Sequence, residues 1–249
     1  MKILLSNDDG YYASGIQALI TVLEKNHDIY VAAPAINHSA GSSALSVRKD
    51  IKIDNVKKNH YVIDGTPADC VHIALTCLIK EDIDIVVSGI NLGANLGDDV
   101  IYSGTVAAAL EGRHLKMSPI AISLTSQENI DIAQAAVISS VLIENIILNK
   151  KISKNTLLNI NIPDSIIKVE ELTILESFEY TRLGKRGLPL PAKQIDSKDL
   201  YKIGAAGIPI DDGPGTDFFA INKGMISITP VLYDLTDKDT LKKINIVWH

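Results

Sequence analysis

Cysteine is scarce, with two in 249 residues, and Cys70 and Cys77 stand seven positions apart in an apolar helical pattern. On an α-helix that spacing puts them two turns apart on one face, too far for easy bridging. A disulfide-stapled secreted domain is thereby excluded, and both thiols are expected to be buried and reduced. No apolar run approaches the length of a membrane span. No basic segment followed by a long apolar stretch opens the chain, because Asn7, Asp8 and Asp9 interrupt the first apolar run. A cytoplasmic location is the expectation. Positive charge is also short, 24 Lys and Arg against 30 Asp and Glu for a net charge of −6. That argues against a duplex nucleic-acid binder, which would carry a basic stripe, and an anionic substrate would need a local cation.

Several familiar motifs are missing. No G-x-x-x-x-G-K-[ST] occurs, and the first strand runs into Asp8 and Asp9 rather than G-x-G-x-x-G. Neither a P-loop nor a standard NAD site is indicated. The six histidines form no H-E-x-x-H, and the cysteines show no paired zinc spacing. His72, inside an apolar helix, is expected to be a satisfied core histidine. The candidate ligands that remain are oxygens, which suit Mg²⁺, Mn²⁺ or Ca²⁺.

What is present is an alternation of strands and helices. Strands are predicted at 2–5, 29–33, 61–63, 83–88 and 120–124, and helices at 14–25, 67–78, 105–115 and 130–148. Thr66 with Pro67 behind it is a regular helix start. Alternation of this kind predicts an α/β fold, a mostly parallel sheet covered on both faces, with function at the loops that leave the strands. From about Thr156 short apolar runs at 157–160 and 172–175 give way to a polar stretch, Gly184 to Gly215, that cannot bury much alone. It reads either as an extended arm packed on a partner subunit or as a mobile surface loop. Ordered structure resumes at 218–221 and 225–230. The expected organisation is one unit over 1–249, a core at 1–175 with an arm and closing elements at 176–249.

Three segments carry candidate chemistry. Asp8 and Asp9 follow a short, buried first strand, where an open α/β sheet places its ligands. Two carboxylates about 4 Å apart repel by roughly 4 kcal/mol at an effective dielectric near 20, and a divalent cation is the simplest compensation. The same residues suit a polar turn capping the next helix. The loop Ala33-Pro-Ala-Ile-Asn-His-Ser-Ala-Gly-Ser-Ser43 offers Ser39 as an oxygen ligand and His38 as a proton carrier, or is a plain surface loop. The third, Ser88-Gly-Ile-Asn-Leu-Gly-Ala-Asn-Leu-Gly-Asp-Asp99 running on to Tyr102-Ser-Gly-Thr105, ends at a helix start with free amides for a phosphate. Asn91 and Asn95 add neutral oxygen and amide groups. Its glycines would also serve a tight crossover.

Together, Ser6-Asn-Asp-Asp-Gly10, Ala33-Pro34 leading to Ser39, Ser88-Gly-Ile-Asn91 with Gly93, Asn95, Gly97 and Tyr102-Ser-Gly-Thr105 resemble the stationary-phase survival protein SurE family. Gly65-Thr-Pro-Ala-Asp69, Gly215-Thr-Asp217 and Ile226-Ser-Ile-Thr-Pro230 extend that resemblance along nearly the whole chain. The family consists of metal-dependent phosphatases acting on nucleoside monophosphates. The resemblance implies a Rossmann-like core with a C-terminal region exchanged between subunits of dimers or tetramers. It implies one divalent metal, Mg²⁺ or Mn²⁺, on Asp8, Asp9, Ser39 and Asn91, with Asp8 and Asp9 catalytic. Asn95, Ser103, Gly104 and Thr105 would lie near the phosphate. Activity is expected on 5′-nucleotides, with 3′-nucleotides and short polyphosphate left open. Many relatives carry arginine where this chain has His38. The attacking group is left open between a water and an aspartyl nucleophile, and the rival function is a nucleotide or phosphate sensor without turnover.

Overall fold

The computed structural model describes residues 1–38, 41–126, 131–148, 152, 156–166, 174–195 and 199–244. Its first strand, β1 (Lys2–Ser6), is almost wholly buried and leads through a turn to α1 (Ser14–Leu23) and β2 (Asp28–Pro34). A hairpin follows, β3 (Ile53–Lys57) and β4 (His60–Ile63), then α2 (Pro67–Ile73), β5 (Ile85–Leu92), α3 (Gly104–Leu110), β6 (Ile120–Leu124), α4 (Ile132–Leu148) and β7 (Thr156–Ile162). After β7 come β8 (Phe178–Tyr180), β9 (Lys185–Arg186), β10 (Lys193–Ile195), β11 (Leu200–Lys202), β12 (Pro209–Asp211), α5 (Asp217–Asn222), β13 (Ile226–Leu232) and α6 (Lys238–Ile244).

Nine strands form one sheet in the order β3-β4-β2-β1-β5-β6-β7-β13-β8, and the run from β4 to β7 is parallel throughout. That run is the doubly wound order, in which the chain leaves β1 toward one edge and β5 toward the other. The crevice between β1 and β5 is therefore the switch point where such sheets take ligands. Burial on both faces explains why these strands are nearly continuous runs of Ile, Leu, Val and Ala.

The helices distribute unusually. α1 and α4 pack on each other on one face, although β1→β2 and β6→β7 step along the sheet in opposite directions. Their crossovers therefore have opposite hands. α3 lies on the other face with α2 and steps in the same direction as α4. Right-handed crossovers are the strong rule, so β6-α4-β7 is the left-handed exception. As a result α4 does not cover β7 on the α3 face, and an apolar cavity of about 340 Å³ opens there between Val106, Leu110, Leu157, Leu183 and Val231.

Several expectations shift. The α-helix predicted at 67–78 stops at Ile73 and continues as a π-helical turn, Ala74–Leu78. That wider turn rotates Cys77 outward, so Cys70 is buried and Cys77 exposed, both free. His72 is likewise exposed and pairs with Glu111 at 3.3 Å rather than sitting in the core. α3 stops at Leu110, five residues early, with Gly112 against Val86 just beyond. β3 was unannounced, because Ile53-Asp-Asn-Val-Lys57 is a polar edge strand with no alternating pattern. Of the run at 172–175, Leu172 and Thr173 lie outside the described residues. The described residues of the stretch 184–215 form a long antiparallel arm, paired at its base through β9 and β12 and further out through β10 and β11. Leu188 is 93% and Ile203 88% exposed on it.

One buried group makes a pH-dependent contribution. His60 on β4 is 5% exposed, its Nδ1 3.1 Å from the Tyr11 hydroxyl, and burial with help from Lys57 lowers its pKa from 6.5 to about 4. Between those values the unfolded chain binds a proton that the folded chain refuses, so stability falls as pH drops through this window. The ceiling on the loss is about 3 kcal/mol. Urea midpoints at pH 7 and pH 4.5 should diverge less in His60→Gln than in the wild type; an equal drop in both would remove His60 from the acid response.

Candidate active site

Asn7 closes the turn after β1. Its Nδ2 donates to the Gly10 carbonyl at 2.9 Å, and its Oδ1 accepts the Gly10 N–H at 3.2 Å. Gly10 has φ +104°, a conformation that suits glycine. The helix that follows is capped by Ala13 with no side-chain hydrogen bond, so neither aspartate serves as a cap. The turn belongs to Asn7, and the two carboxylates are left for the crevice.

Asp8 is buried, and its Oδ1 accepts the Thr105 hydroxyl at 2.6 Å. Asp9 accepts Asn37 Nδ2 at 3.1 Å and the backbone of Leu92, the residue after Asn91. Burial pushes the Asp8 carboxyl above the ordinary carboxylate range, against the Thr105 bond and the nearby His38. Burial and then the charge of Asp8 push Asp9 up in turn. Among the described residues no Lys or Arg forms an ion pair with either. Two desolvated acids share the site, with neutral donors around them, and a divalent cation is the charge that fits.

The other side of the crevice is α3. A Cβ on Gly104 would lie 2.8 Å from Asp8 Cβ and 3.0 Å from its Oδ2, so the glycine is what lets the helix start against the carboxylate. Ser103 is the N-cap, its Oγ accepting the Val106 N–H at 3.1 Å. Asn91 donates Nδ2 to the Gly93 carbonyl at 2.7 Å, so Oδ1 is the atom that it can offer a cation. Before Asn91 stands Gly89 at φ +138°, where a Cβ would meet the Ile122 carbonyl at 2.4 Å. The structure thus gathers Asp8, Asp9, the Asn91-Leu92 segment, Gly104 and Thr105. Ser39 lies outside the described residues. His38 is held by its N–H to the Asp8 carbonyl at 2.8 Å, and its buried Nε2 has no hydrogen-bond partner among the described residues.

Ser123, Asn159 and Asn161 from the far strands hold the third loop, and the sequence did not single out these three, whereas Asp217 stood in a quoted motif without a role. Asn95 donates Nδ2 to Ser123 Oγ on β6, while its backbone is bonded by Asn159 and Asn161 of β7. Asp217, fully buried at the start of α5, accepts the N–H groups of Gly97, Gly184 and Phe218 at 2.7–2.9 Å. Arg186, at the root of the arm, donates its backbone N–H to Asp98, pairs with Asp99 and lies 5.0 Å over the Phe218 ring. The motif Gly65-Thr-Pro-Ala-Asp69 is a capping box on α2 that also ties down Ala44 and Ser46.

A sequence model described as Survival protein SurE matches residues 3–188. A protein named 5′-nucleotidase SurE from Ruthia magnifica subsp. Calyptogena magnifica is 47% identical over 249 residues, covering 98% of each chain. One of the same name from Haemophilus influenzae is 43% identical over 95% of this chain and 93% of its own. The crystal structure of the SurE protein from Aquifex aeolicus superposes with a TM-score of 0.84 at 36% identity, over 100% of both chains. With family match, relatives and fold in agreement over the full crevice, the chain belongs to the survival protein SurE family.

Proposed function

We propose that this chain is a divalent-metal-dependent 5′-nucleotidase that hydrolyses nucleoside monophosphates to nucleoside and phosphate. The observation that carries this reading is the buried Asp8–Asp9 pair, which has no Lys or Arg in ion-pair contact among the described residues. A sensor that only held phosphate would gain nothing from two carboxylates beside an anion. The names of the relatives point the same way. Asp8, Asp9, Asn91 Oδ1 and Ser39 would hold one Mg²⁺ or Mn²⁺. Such an ion supplies positive charge for the transferring phosphoryl group and makes a water easier to deprotonate.

The chain's own residues do the rest. Thr105 fixes the Asp8 carboxylate by donating to it, and Gly104 clears the space that the carboxylate occupies. Ser103 Oγ accepts from Val106, which leaves its own proton for a phosphate oxygen. Asn95 Nδ2 spends one hydrogen on Ser123 and keeps a second. Groups held in place before the substrate arrives need no reorganisation as charge develops on the phosphoryl oxygens. Phosphate release from a panel of 5′- and 3′-monophosphates and short polyphosphate, with Mn²⁺, Mg²⁺ or EDTA, tests the reading. Release that needs the metal supports it. Nucleotide-induced thermal stabilisation without release would favour a sensor.

A homodimer or homotetramer, held through the arm, belongs to the same proposal. Support comes from the exposed Leu188, Leu190, Ile203 and Ile208 on the arm and from the apolar cavity beside β7. Light scattering behind size exclusion should give a mass of two or four chains, and a strict monomer would overturn it. β13 and β8 complete the main sheet, which supports reading 1–249 as one working unit. No helix among the described residues is long and apolar enough to cross a membrane. The two free cysteines support a cytoplasmic site of action.

A further inference from the structure

Asparagine is a poor choice for the interior of a strand, since it packs badly there and its amide must be paired if buried. β7 carries two, Asn159 and Asn161, both fully buried and both on the face that Leu157 shares with α3. Between and beyond them Leu158, Ile160 and Ile162 fill the core on the opposite face. The two amides converge on one residue. Asn161 Oδ1 accepts the Asn95 N–H at 2.8 Å, and Asn161 Nδ2 donates to the Asn95 carbonyl at 2.9 Å. Asn159 Nδ2 donates to the same carbonyl at 2.8 Å, and Ser123 Oγ receives the Asn95 side chain at 2.7 Å. Asn95 is thus bonded through its N–H, its carbonyl and its side chain, all from two neighbouring strands, β6 and β7.

We infer that Asn161, with Asn159 and Ser123, forms a set of positioning residues for the reaction, acting through Asn95 to hold the Gly93–Gly97 loop at the height of the substrate phosphate. This rests on the phosphatase reading above. A strand amide that reads both backbone groups of one loop residue fixes that residue's position and its orientation about the chain. A ladder bond between loop and strand would not, because the loop leaves the sheet here. Asp217 performs the matching task two residues on, at the Gly97 N–H. With both points fixed from the rear, the loop has no freedom to follow the substrate and meets it preformed.

The test compares Asn161→Ala with Ile160→Val, a control that loosens the same strand from its other side. If Asn161 positions the loop, KM for the nucleotide and the inhibition constant of inorganic phosphate both rise about 10- to 100-fold in Asn161→Ala. Both should stay within twofold in Ile160→Val. Were Asn161 merely structural, kcat would fall with the folded fraction while KM and the phosphate constant held. That pattern would overturn the inference. If Asn161→Ala does not fold, Ser123→Ala, which removes a single hydroxyl, decides by the same two constants. A wild-type protein that releases no phosphate with any metal would instead sink the underlying reading, and the inference with it.

Discussion

Asp8→Asn lowers metal-dependent phosphate release at least a thousandfold, about 4 kcal/mol of transition-state stabilisation. Asparagine keeps the volume of the side chain and an oxygen for the Thr105 hydroxyl, so the crevice retains its shape. What it loses is one of two negative charges, and with it most of the attraction for a divalent cation. The same variant should melt no lower than the wild type in EDTA. A carboxyl whose pKa is raised on folding subtracts stability at any pH above that range, and Asp8 is such a group. Replacing it by a neutral amide removes that penalty, so loss of activity with undiminished stability separates a chemical role from a structural one. Residual activity within tenfold of the wild type would remove Asp8 from the mechanism.

Gly104→Ala is expected to cost about a hundredfold in kcat while leaving the melting temperature within a few degrees. Gly104 opens α3 directly after the Ser103 cap, with a φ outside the left-handed region, so alanine is compatible with the helix backbone itself. The new methyl has nowhere to go, however, since its carbon would sit 2.8 Å from Asp8 Cβ and 3.0 Å from Oδ2. The aspartate side chain must swing away or the helix must back off, and a displacement near 1 Å at a reacting centre is worth roughly a hundredfold. Steady-state kinetics with saturating Mn²⁺ beside a calorimetric melt would show it. Wild-type kcat would mean that the crevice relaxes without cost and that Asp8 tolerates movement.

Much of this was readable beforehand, for identifiable reasons. Asp8 and Asp9 stood out because so short and apolar a strand has to deliver its next residues to the sheet edge. The role of Asn7 in closing the turn, which frees both aspartates, depends on two hydrogen bonds that residue order does not reveal. Asn159 and Asn161 were hidden for the opposite reason. Leu-Asn-Ile-Asn-Ile looks like a strand with one wet face, and only the loop folded over its end makes that face dry. Cys77 was misplaced because periodicity assumes 3.6 residues per turn, and the π-helical turn at Ala74–Leu78 breaks the count. Crossover hand leaves no mark on local sequence at all, since it is decided by which face a helix docks on after the strands have formed.

The left-handed crossover also sets a timetable. α1 is made from residues 14–23 and the helix that covers it from residues 132–148. While the chain is being synthesised, Ile16, Leu19 and Leu23 can pack on β1 and β2, but their outer flank stays bare until α4 emerges from the ribosome. A nascent chain halted before that point would carry a half-dressed apolar layer, the kind of surface on which holding chaperones act.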